Sequence, residues 1–286
     1  MPVNPWLSRR VISYAHQGGA REAPSSTLHA ISQAVTLGCT AIELDVHMTA
    51  DDQLVVCHDP TLDRTTNGTG EIAQHSLAEL LELDNAYWFV PGEDVNHDRD
   101  PSDYTLRGFA PGDHGYGIAT LAEVIEVTDG VCLNLDIKRT APDCKPYEQA
   151  LADLLRERGR IDDVIVASFL DQATAAFKAY APEIATSAGT TDVAEFFRAV
   201  RNGAEPAETI KRHVALQVPA KFQDVVVVDT QFVGAAHSAG LAVHVWTINE
   251  RDEIEALCDL EVDGIITDTP SVLVDVLEER GIGWQP

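Results

Sequence analysis

At 286 residues the chain is long enough for one large α/β domain or two smaller ones, and 45 % apolar residues supply a full core. A net charge of −26, from 46 acidic and 20 basic residues, argues against nucleic acid as a partner and disfavours docking to anionic membranes. No run approaches the roughly 20 apolar residues of a membrane span, so no integral span is expected.

The first stretch, MPVNPWLSRRVISYAHQGG, lacks an apolar segment followed by a small-residue cleavage site, so a soluble, cytoplasmic protein is expected. Val11 to Ala15 is a β-rich run that ends at His16-Gln17-Gly18-Gly19, where the glycine pair lets the backbone turn sharply. Ser25, Ser26 and Thr27 can cap an amphipathic helix that runs through Leu28, Ile31, Ala34 and Val35 to a stop at Gly38. Ala41 to Val46 is the second strand, and strand, helix, strand implies a parallel pair with a crossover. Period two puts Glu43 and Asp45 on one side of that strand and Ile42, Leu44 and Val46 on the other. Two carboxylates pointing the same way inside a fold repel each other, and a metal ion or a shared proton is the usual remedy. A salt-bridged strand end is the plain structural alternative.

Leu54 to Cys57 is a short extra strand, joined to the second by a turn at Ala50-Asp51-Asp52, and it ends at His58-Asp59. Residues 60–117 form an irregular insertion after the second unit, and Val90 to Gly117 within it is rich in Pro, Gly and Asp without any period. Placed there it would lie over the active face as a lid or substrate-binding segment. The remaining strands are Val131 to Ile137, Val164 to Ser168, Ile184 to Ala188, Val214 to Val218, Leu241 to Ile248 and Gly264 to Thr267. Helices follow them at Tyr147–Arg158, Asp171–Tyr180, Val193–Arg201, Thr230–Ala239, Arg251–Leu260 and Ser271–Glu279. Eight strands in βα units predict an α/β fold, a (β/α)8 TIM barrel forming one domain over residues 1–286. In such a barrel the catalytic groups gather at the C-terminal strand ends, where His16, Glu43, Asp45, Asp136, Lys138, Trp246 and Asp268 all fall.

The five cysteines, Cys39, Cys57, Cys132, Cys144 and Cys258, are odd in number and form no C-x-x-C pair, so buried reduced thiols are expected and a zinc site is not. The acidic excess reads as a solvated surface, and the scarcity of lysine also fits adaptation to high salt.

His16 and His58, brought near a carboxylate pair, suggest a general acid and a general base. Phosphodiester hydrolysis needs both, one to activate the attacking oxygen and one to protonate the leaving alkoxide. Glu43 and Asp45, with Asp136 as a third carboxylate, offer hard oxygen ligands suited to Mg²⁺ or Ca²⁺. Lys138 shares the face of Asp136 and would pair with a phosphate or offset the carboxylates.

These residues fall in a set of motifs. A-H-x-G stands at 15–18, E-L-D-V at 43–46, T-x-D-x-x-x-V-V-x-H-D at 49–59 and L-x-R-T-T at 62–66. N-L-D-I-K follows at 134–138, V-W-T-I-N at 245–249 and D-G-I-I-T-D-T-P at 263–270. In this order, from about Ser13 to Leu277, the chain resembles the glycerophosphodiester phosphodiesterases. The resemblance implies a (β/α)8 barrel with one divalent metal, Mg²⁺ or Ca²⁺, hydrolysing glycerophosphodiesters to glycerol 3-phosphate and an alcohol. By position it makes His16 and His58 the acid/base pair and Glu43, Asp45 and Asp136 the metal ligands. Lys138 becomes the family's lysine, Trp246 lines the pocket, and Asp268 closes the last strand end.

Three positions depart from the family pattern. Gln17 stands where a phosphate-binding arginine is usual, leaving Arg21 as a substitute cation. P-S-S-T at 24–27 replaces P-E-N-T, and Asp136 replaces a glutamate. Replacing a charge-assisted contact by the Gln17 amide would weaken phosphate binding by about 1 to 2 kcal/mol.

The substrate is expected to be a small phosphodiester or a lysophospholipid, the latter cleaved in a lysophospholipase D-type reaction. Tyr87, Trp88, Phe89, Tyr104, Phe109 and Tyr116 would cover an acyl chain or else only pin the insertion. A weakened barrel that binds phosphate esters without turnover is a second class, motivated by Gln17. An aldolase or isomerase would need a Schiff-base lysine, for which Lys138 is crowded by carboxylates. The sequence leaves the oligomeric state open.

Overall fold

Strand β1 (Ile12–His16) alternates side chains that point into a barrel with side chains that pack under helices. Ile12 and Tyr14 belong to a small inner cluster, and Ala15 belongs to the outer core. A computed structural model describes residues 4–8 and 10–283 of the chain; the extreme ends of the expected 1–286 domain lie outside the described residues. Helix α1 (Leu28–Leu37) begins where Thr27 accepts a hydrogen bond from the Ala30 amide at 3.2 Å and ends at Gly38, whose φ of 99° closes it. It leads into β2 (Ala41–Met48), which lies parallel to β1 with His16 opposite Glu43.

β2 continues as an antiparallel pair with β3 (Leu54–Val56). The chain then enters the insertion, which contains the short helix α2 (Leu77–Leu80), and returns as β4 (Ala119–Thr120) against β3. The irregular segment therefore leaves and re-enters at neighbouring positions. Helix α3 (Leu121–Val127), started by a Thr120–Glu123 capping box, then completes the second βα unit. The later units alternate regularly. They are β5 (Cys132–Ile137), α4 (Glu148–Glu157), β6 (Val164–Ala167), α5 (Asp171–Tyr180), β7 (Ala185–Thr186) and α6 (Thr190–Arg201). After β8 (Ala215–Pro219) a small antiparallel hairpin of β9 (Lys221–Phe222) and β10 (Val225–Val226) precedes α7 (Thr230–Ser238). The chain ends with β11 (Ala242–Trp246), α8 (Arg251–Asp259), β12 (Gly264–Thr267) and α9 (Pro270–Glu279).

The eight barrel strands are all parallel, in the order β7-β6-β5-β2-β1-β12-β11-β8. The join between β7 and β8 rests on one bridge, Ser187 to Ala215, flanked by the Val214 amide donating to the Thr186 carbonyl at 2.9 Å. This weak seam explains why the strand expected over 184–188 shrinks to two residues, and why α6 starts at Thr190 rather than Val193. The expected TIM barrel is present.

Two large apolar clusters fill the space between sheet and helices, one per half of the barrel. The lumen is filled from the bottom by Trp6, Ile12, Tyr14, Ala41, Cys132 and Ile266. At Gly264 a Cβ would come within 2.9 Å of both the His244 and Tyr14 rings, so this layer closes only around a glycine. Above it lies a polar layer, in which Gln217 Nε2 donates to Asn134 Oδ1 at 2.9 Å and the Tyr14 hydroxyl meets His244 Nδ1 at 3.3 Å. The inward positions one step further along the strands carry the site.

Candidate active site

Period two in three adjacent strands sets the site. In β2 it turns Glu43 and Asp45 inward, and in β5 Asn134 and Asp136, with Asp45 directly beside Asp136 in the parallel register. Lys138 follows β5 and donates its ammonium to Asp45 Oδ1 at 3.0 Å, with Asp136 Oδ2 at 3.5 Å. The ammonium belongs to the carboxylate network, so its first structural duty is to offset their charge.

All three carboxylates are buried, and each keeps one oxygen without a hydrogen-bond partner: Glu43 Oε2, Asp45 Oδ2 and Asp136 Oδ1. Burial, reinforced by the negative charge of Asp45, pushes Glu43 up to about 8 and Asp136 to about 6. Burial opposes the charge of Lys138, but Asp45 and Asp136 outweigh it and hold its ammonium well above the ordinary lysine range. Orphaned, crowded carboxylate oxygens are the donor set a hard divalent cation takes. Among the described residues no three His, Cys, Asp or Glu side chains stand ready at ligand distance of one point, so binding requires these rotamers to draw together.

His16 ends β1 at the inner rim. Its Nδ1 lies 2.6 Å from Asp268 Oδ1, and its Nε2 lies 3.6 Å from Glu43 Oε2. Burial disfavours the imidazolium, but the Asp268 hydrogen bond and the charges of Glu43, Asp268 and Asp45 prevail and lift His16 to about 9. Asp268 is itself clamped by Asn249, which donates to its Oδ2 at 2.9 Å and accepts from its amide at 2.8 Å. His58 follows β3 and repeats the device: Nδ1 lies 2.6 Å from Asp59 Oδ1, and Arg64 donates to Asp59 Oδ2 at 2.5 Å. The His58 hydrogen bond, with Arg64 behind it, holds Asp59 well below the usual carboxylate range. The two imidazoles sit edge to face, with centroids 6.3 Å apart. In both rings Nδ1 is committed to a carboxylate, leaving Nε2 as the reactive nitrogen.

The sharp turn after His16 depends on Gly18, at φ +85°, where a Cβ would come 2.8 Å from Ala30 Cβ. Gln17 is buried, and its amide nitrogen lies 3.0 Å from His16 Nε2. It thus touches the catalytic candidate rather than projecting into open space. Arg21 pairs with Asp94 of the insertion at 3.3 Å and lines the same small cavity as Gln17.

The family's sequence profile for glycerophosphoryl diester phosphodiesterases matches residues 16–272, beginning at His16 itself. The chain belongs to that family. A glycerophosphodiester phosphodiesterase from Caldanaerobacter subterraneus subsp. tengcongensis is 28 % identical over 272 residues, covering 95 % of this chain and 100 % of the relative. Another, from Bacillus subtilis, is 28 % identical over 278 residues, covering 92 % of this chain and 85 % of the relative. Among solved structures, an Oleispira antarctica phosphodiesterase in complex with the product sn-glycerol-3-phosphate superposes with a TM-score of 0.67 at 26 % identity, covering 93 % of this chain and 96 % of that one. A glycerophosphodiester phosphodiesterase from Agrobacterium tumefaciens gives 0.68 at 22 % identity, covering 92 % and 98 %.

In this glycerophosphodiester phosphodiesterase barrel, every site residue expected from the sequence reaches one mouth. His16, Glu43, Asp45, His58, Asp136, Lys138 and Trp246 line one cavity of about 670 Å³. Gln17 lines a smaller neighbour of about 220 Å³, which His16 and His58 share. The aromatic residues of the insertion do something else. Arg107 sits 4.0 to 4.6 Å from the ring centroids of Tyr87, Trp88 and Tyr104, and Tyr116 stacks on His29 of α1 at 4.6 Å. Of the six, only Phe89 lines either cavity, so the covering of an acyl chain by this group is corrected to pinning of the insertion.

Sequence reasoning missed Asn249, Arg64 and His47. The first two stand inside quoted motifs, V-W-T-I-N and L-x-R-T-T, and share those motifs with named residues. His47 continues the inward alternation of Glu43 and Asp45; burial pushes it down to about 4, so it is neutral, and its Nε2 lies 3.5 Å from the His58 carbonyl.

Proposed function

We propose that the chain hydrolyses glycerophosphodiesters to glycerol 3-phosphate and an alcohol, with a divalent metal, Mg²⁺ or Ca²⁺, held by Glu43, Asp45 and Asp136. The observation that carries this reading is the pair of carboxylate-anchored histidines at a mouth whose floor holds three orphaned carboxylate oxygens. When bound, the cation supplies Lewis-acid stabilisation of the charge on the phosphate oxygens. Lys138 keeps the carboxylates oriented by hydrogen bonding to Asp45.

His16, lifted to about 9, carries a proton on Nε2 at neutral pH, with the Gln17 amide turned to present its oxygen there, and delivers that proton to the departing alcohol oxygen. His58, with its Nδ1 proton fixed on Asp59, accepts a proton at Nε2 from the attacking water. Asp268 and Asp59 hold the rings, Asp268 also stabilises the His16 imidazolium, and Asn249 and Arg64 hold those carboxylates in turn. Trp246 and Phe169 meet edge to face at 5.5 Å and wall one side of the reacting phosphate. Gln17 and Arg21 bound the opposite side, with Phe89, Glu93, Asp94 and Val95 of the insertion beside them.

A lysophospholipid presents the same phosphodiester to the same groups and would yield lysophosphatidic acid. A barrel that binds without turnover is disfavoured because both histidines retain their complete hydrogen-bonded support. Incubation with glycerophosphocholine and Mg²⁺ or Ca²⁺ should release glycerol 3-phosphate and choline. Release of glycerol and phosphocholine instead, or no turnover, would contradict this reading.

A further inference from the structure

The β9–β10 hairpin forms a sheet of its own, apart from the barrel sheet. Its two-residue turn, Gln223-Asp224, puts Gln223 at φ 52° and sets Phe222 opposite Val225 and Lys221 opposite Val226. At its base Arg201 donates to the Val226 and Val227 carbonyls at 3.3 and 3.4 Å, and the Val227 amide donates to the Ala220 carbonyl at 3.0 Å. The base is therefore fixed while the strands stay bare. Alternation gives the hairpin two faces. Phe222 and Val225 wall the larger cavity, whereas Val226 and Lys221 turn away and line neither cavity. Phe222 is 63 % exposed, Val225 50 % and Val226 47 %. With Phe169, at 53 %, they make four of the seven large apolar side chains that the described residues leave exposed. A bare two-stranded hairpin is marginal in water, and apolar side chains gathered at one place mark an interaction surface. A ligand in the cavity can cover Phe222 and Val225, but not the face that carries Val226 and Lys221.

Charge points to the partner. Arg198 and Lys221 make no hydrogen bond, ion pair or ring contact within the chain, and among the described residues they are the only lysine or arginine side chains that make none. In a chain with 46 acidic and 20 basic residues an unclaimed cation is the exception, and both stand on this one surface. Lys221 is in the hairpin, and Arg198 lies on the face of α6 that borders the same cavity with Val193, Ala194 and Phe197. Beside them are Asp224 in the turn and Glu195 on α6, whose carboxylates also have no partner in the chain. The surface thus carries both signs on each element around an apolar centre. A two-fold interface brings one surface against itself and requires this kind of self-complementarity. Elsewhere the net charge of −26 on each copy opposes approach.

We propose that the hairpin and the exposed face of α6 pack against the same surface of a second copy of this chain about a two-fold axis. Val226 lies in the apolar centre, and Lys221 of one copy faces Asp224 of the other. Phe222 and Val225 of the same hairpin wall the cavity of the candidate active site, so the second copy braces that wall from outside. The inference is independent of the hydrolysis reading, because the state of association is measured without substrate. An anionic membrane is a poorer occupant, since the acidity of the chain opposes it.

The test is sedimentation equilibrium of the full chain across a concentration series, which should show a monomer–dimer equilibrium. Lys221→Glu sets carboxylates against each other across the axis and should raise the dissociation constant about tenfold or more. Val226→Asp, at the apolar centre, should do the same. The charge swap Lys221→Glu, Asp224→Lys restores opposite signs across the axis and should return the constant to within about threefold of wild type. A misfolded hairpin could not give that rescue. A chain that stays monomeric throughout the series overturns the proposal. So does a dimer that Lys221→Glu leaves unchanged, or one that the charge swap leaves as weak as the single substitution. Monomers that float with phosphatidylcholine vesicles would assign the hairpin to a lipid surface and likewise overturn it.

Discussion

Each of the two histidines proposed as acid and base sits at the end of a hydrogen-bonded chain: Asn249 to Asp268 to His16 on one side, Arg64 to Asp59 to His58 on the other. Removing an imidazole takes away the proposed proton carrier without removing a carboxylate, so His16→Ala and His58→Ala should each lower kcat by roughly 10²- to 10⁴-fold while Mg²⁺ or Ca²⁺ binding, read by calorimetry, persists. Full activity in both variants would overturn the acid/base assignment. The same groups make stability depend on pH. Glu43 binds its proton up to about 8 and His16 up to about 9 in the folded chain, above their unfolded values of 4.5 and 6.5. Between pH 6.5 and 9 the folded state therefore holds more protons than the unfolded one, and stability falls as pH rises. His47, depressed to about 4, and the deeply buried His244, depressed to about 3, act in the opposite sense only below 6.5. Thermal melts of metal-free protein across pH 6.5 to 9 should show a falling Tm, and saturating Mg²⁺ or Ca²⁺ should flatten the slope. A Tm that rises through that window contradicts the raised proton affinities of buried Glu43 and His16. The legible part at this scale was residue type at strand ends; the supporting shell was not, because Asn249 and Arg64 meet their partners only across 19 and 5 residues of folded chain.

At the scale of elements, the insertion is a small apolar nucleus hung on one cation. Val55, Leu62, Ile72, Leu80 and Ile118 make its core, and Arg107 lies among three aromatic rings beside it. Each cation–π contact contributes on the order of 0.5 to 2 kcal/mol, so Arg107→Ala should loosen residues 84–117 and speed their cleavage in limited proteolysis. Unchanged cleavage would show that the aromatics need no cation. Sequence periodicity could not see this segment, since its order comes from turns and ring contacts rather than a repeat. Helix α3 was different: Thr120 and Glu123 form a capping box and Leu121, Val124 and Ile125 share a face, a signal present but masked by the aperiodic stretch before it. The β9–β10 hairpin offered no such signal, because each strand has only two residues.

Across the whole molecule, barrel closure is what converts sequence spacing into a site. Strands alternate strictly, so Tyr14 and His16, Glu43 and Asp45, Asn134 and Asp136, and His244 and Trp246 all face one lumen, although 230 residues separate the hydrogen-bonded Tyr14 and His244 and 252 separate His16 and Asp268. That is why the barrel and the carboxylate-histidine set were readable from period and order alone. What could not be read was the division of the mouth into a small cavity against the insertion and a larger one against α6 and the hairpin after β8, because those walls come from aperiodic or very short segments. No described helix is long and apolar enough to cross a membrane. If the orphaned oxygens of Glu43, Asp45 and Asp136 hold a divalent cation, hydrolysis depends on that cation. The most direct measurement strips the protein with EDTA, then follows glycerol 3-phosphate release from glycerophosphocholine as Mg²⁺ or Ca²⁺ is added back to wild type and to Asp45→Asn. Release should be absent after stripping, return with metal in wild type, and return little in the variant. Hydrolysis that survives EDTA, or that Asp45→Asn restores at wild-type metal concentrations, would contradict it.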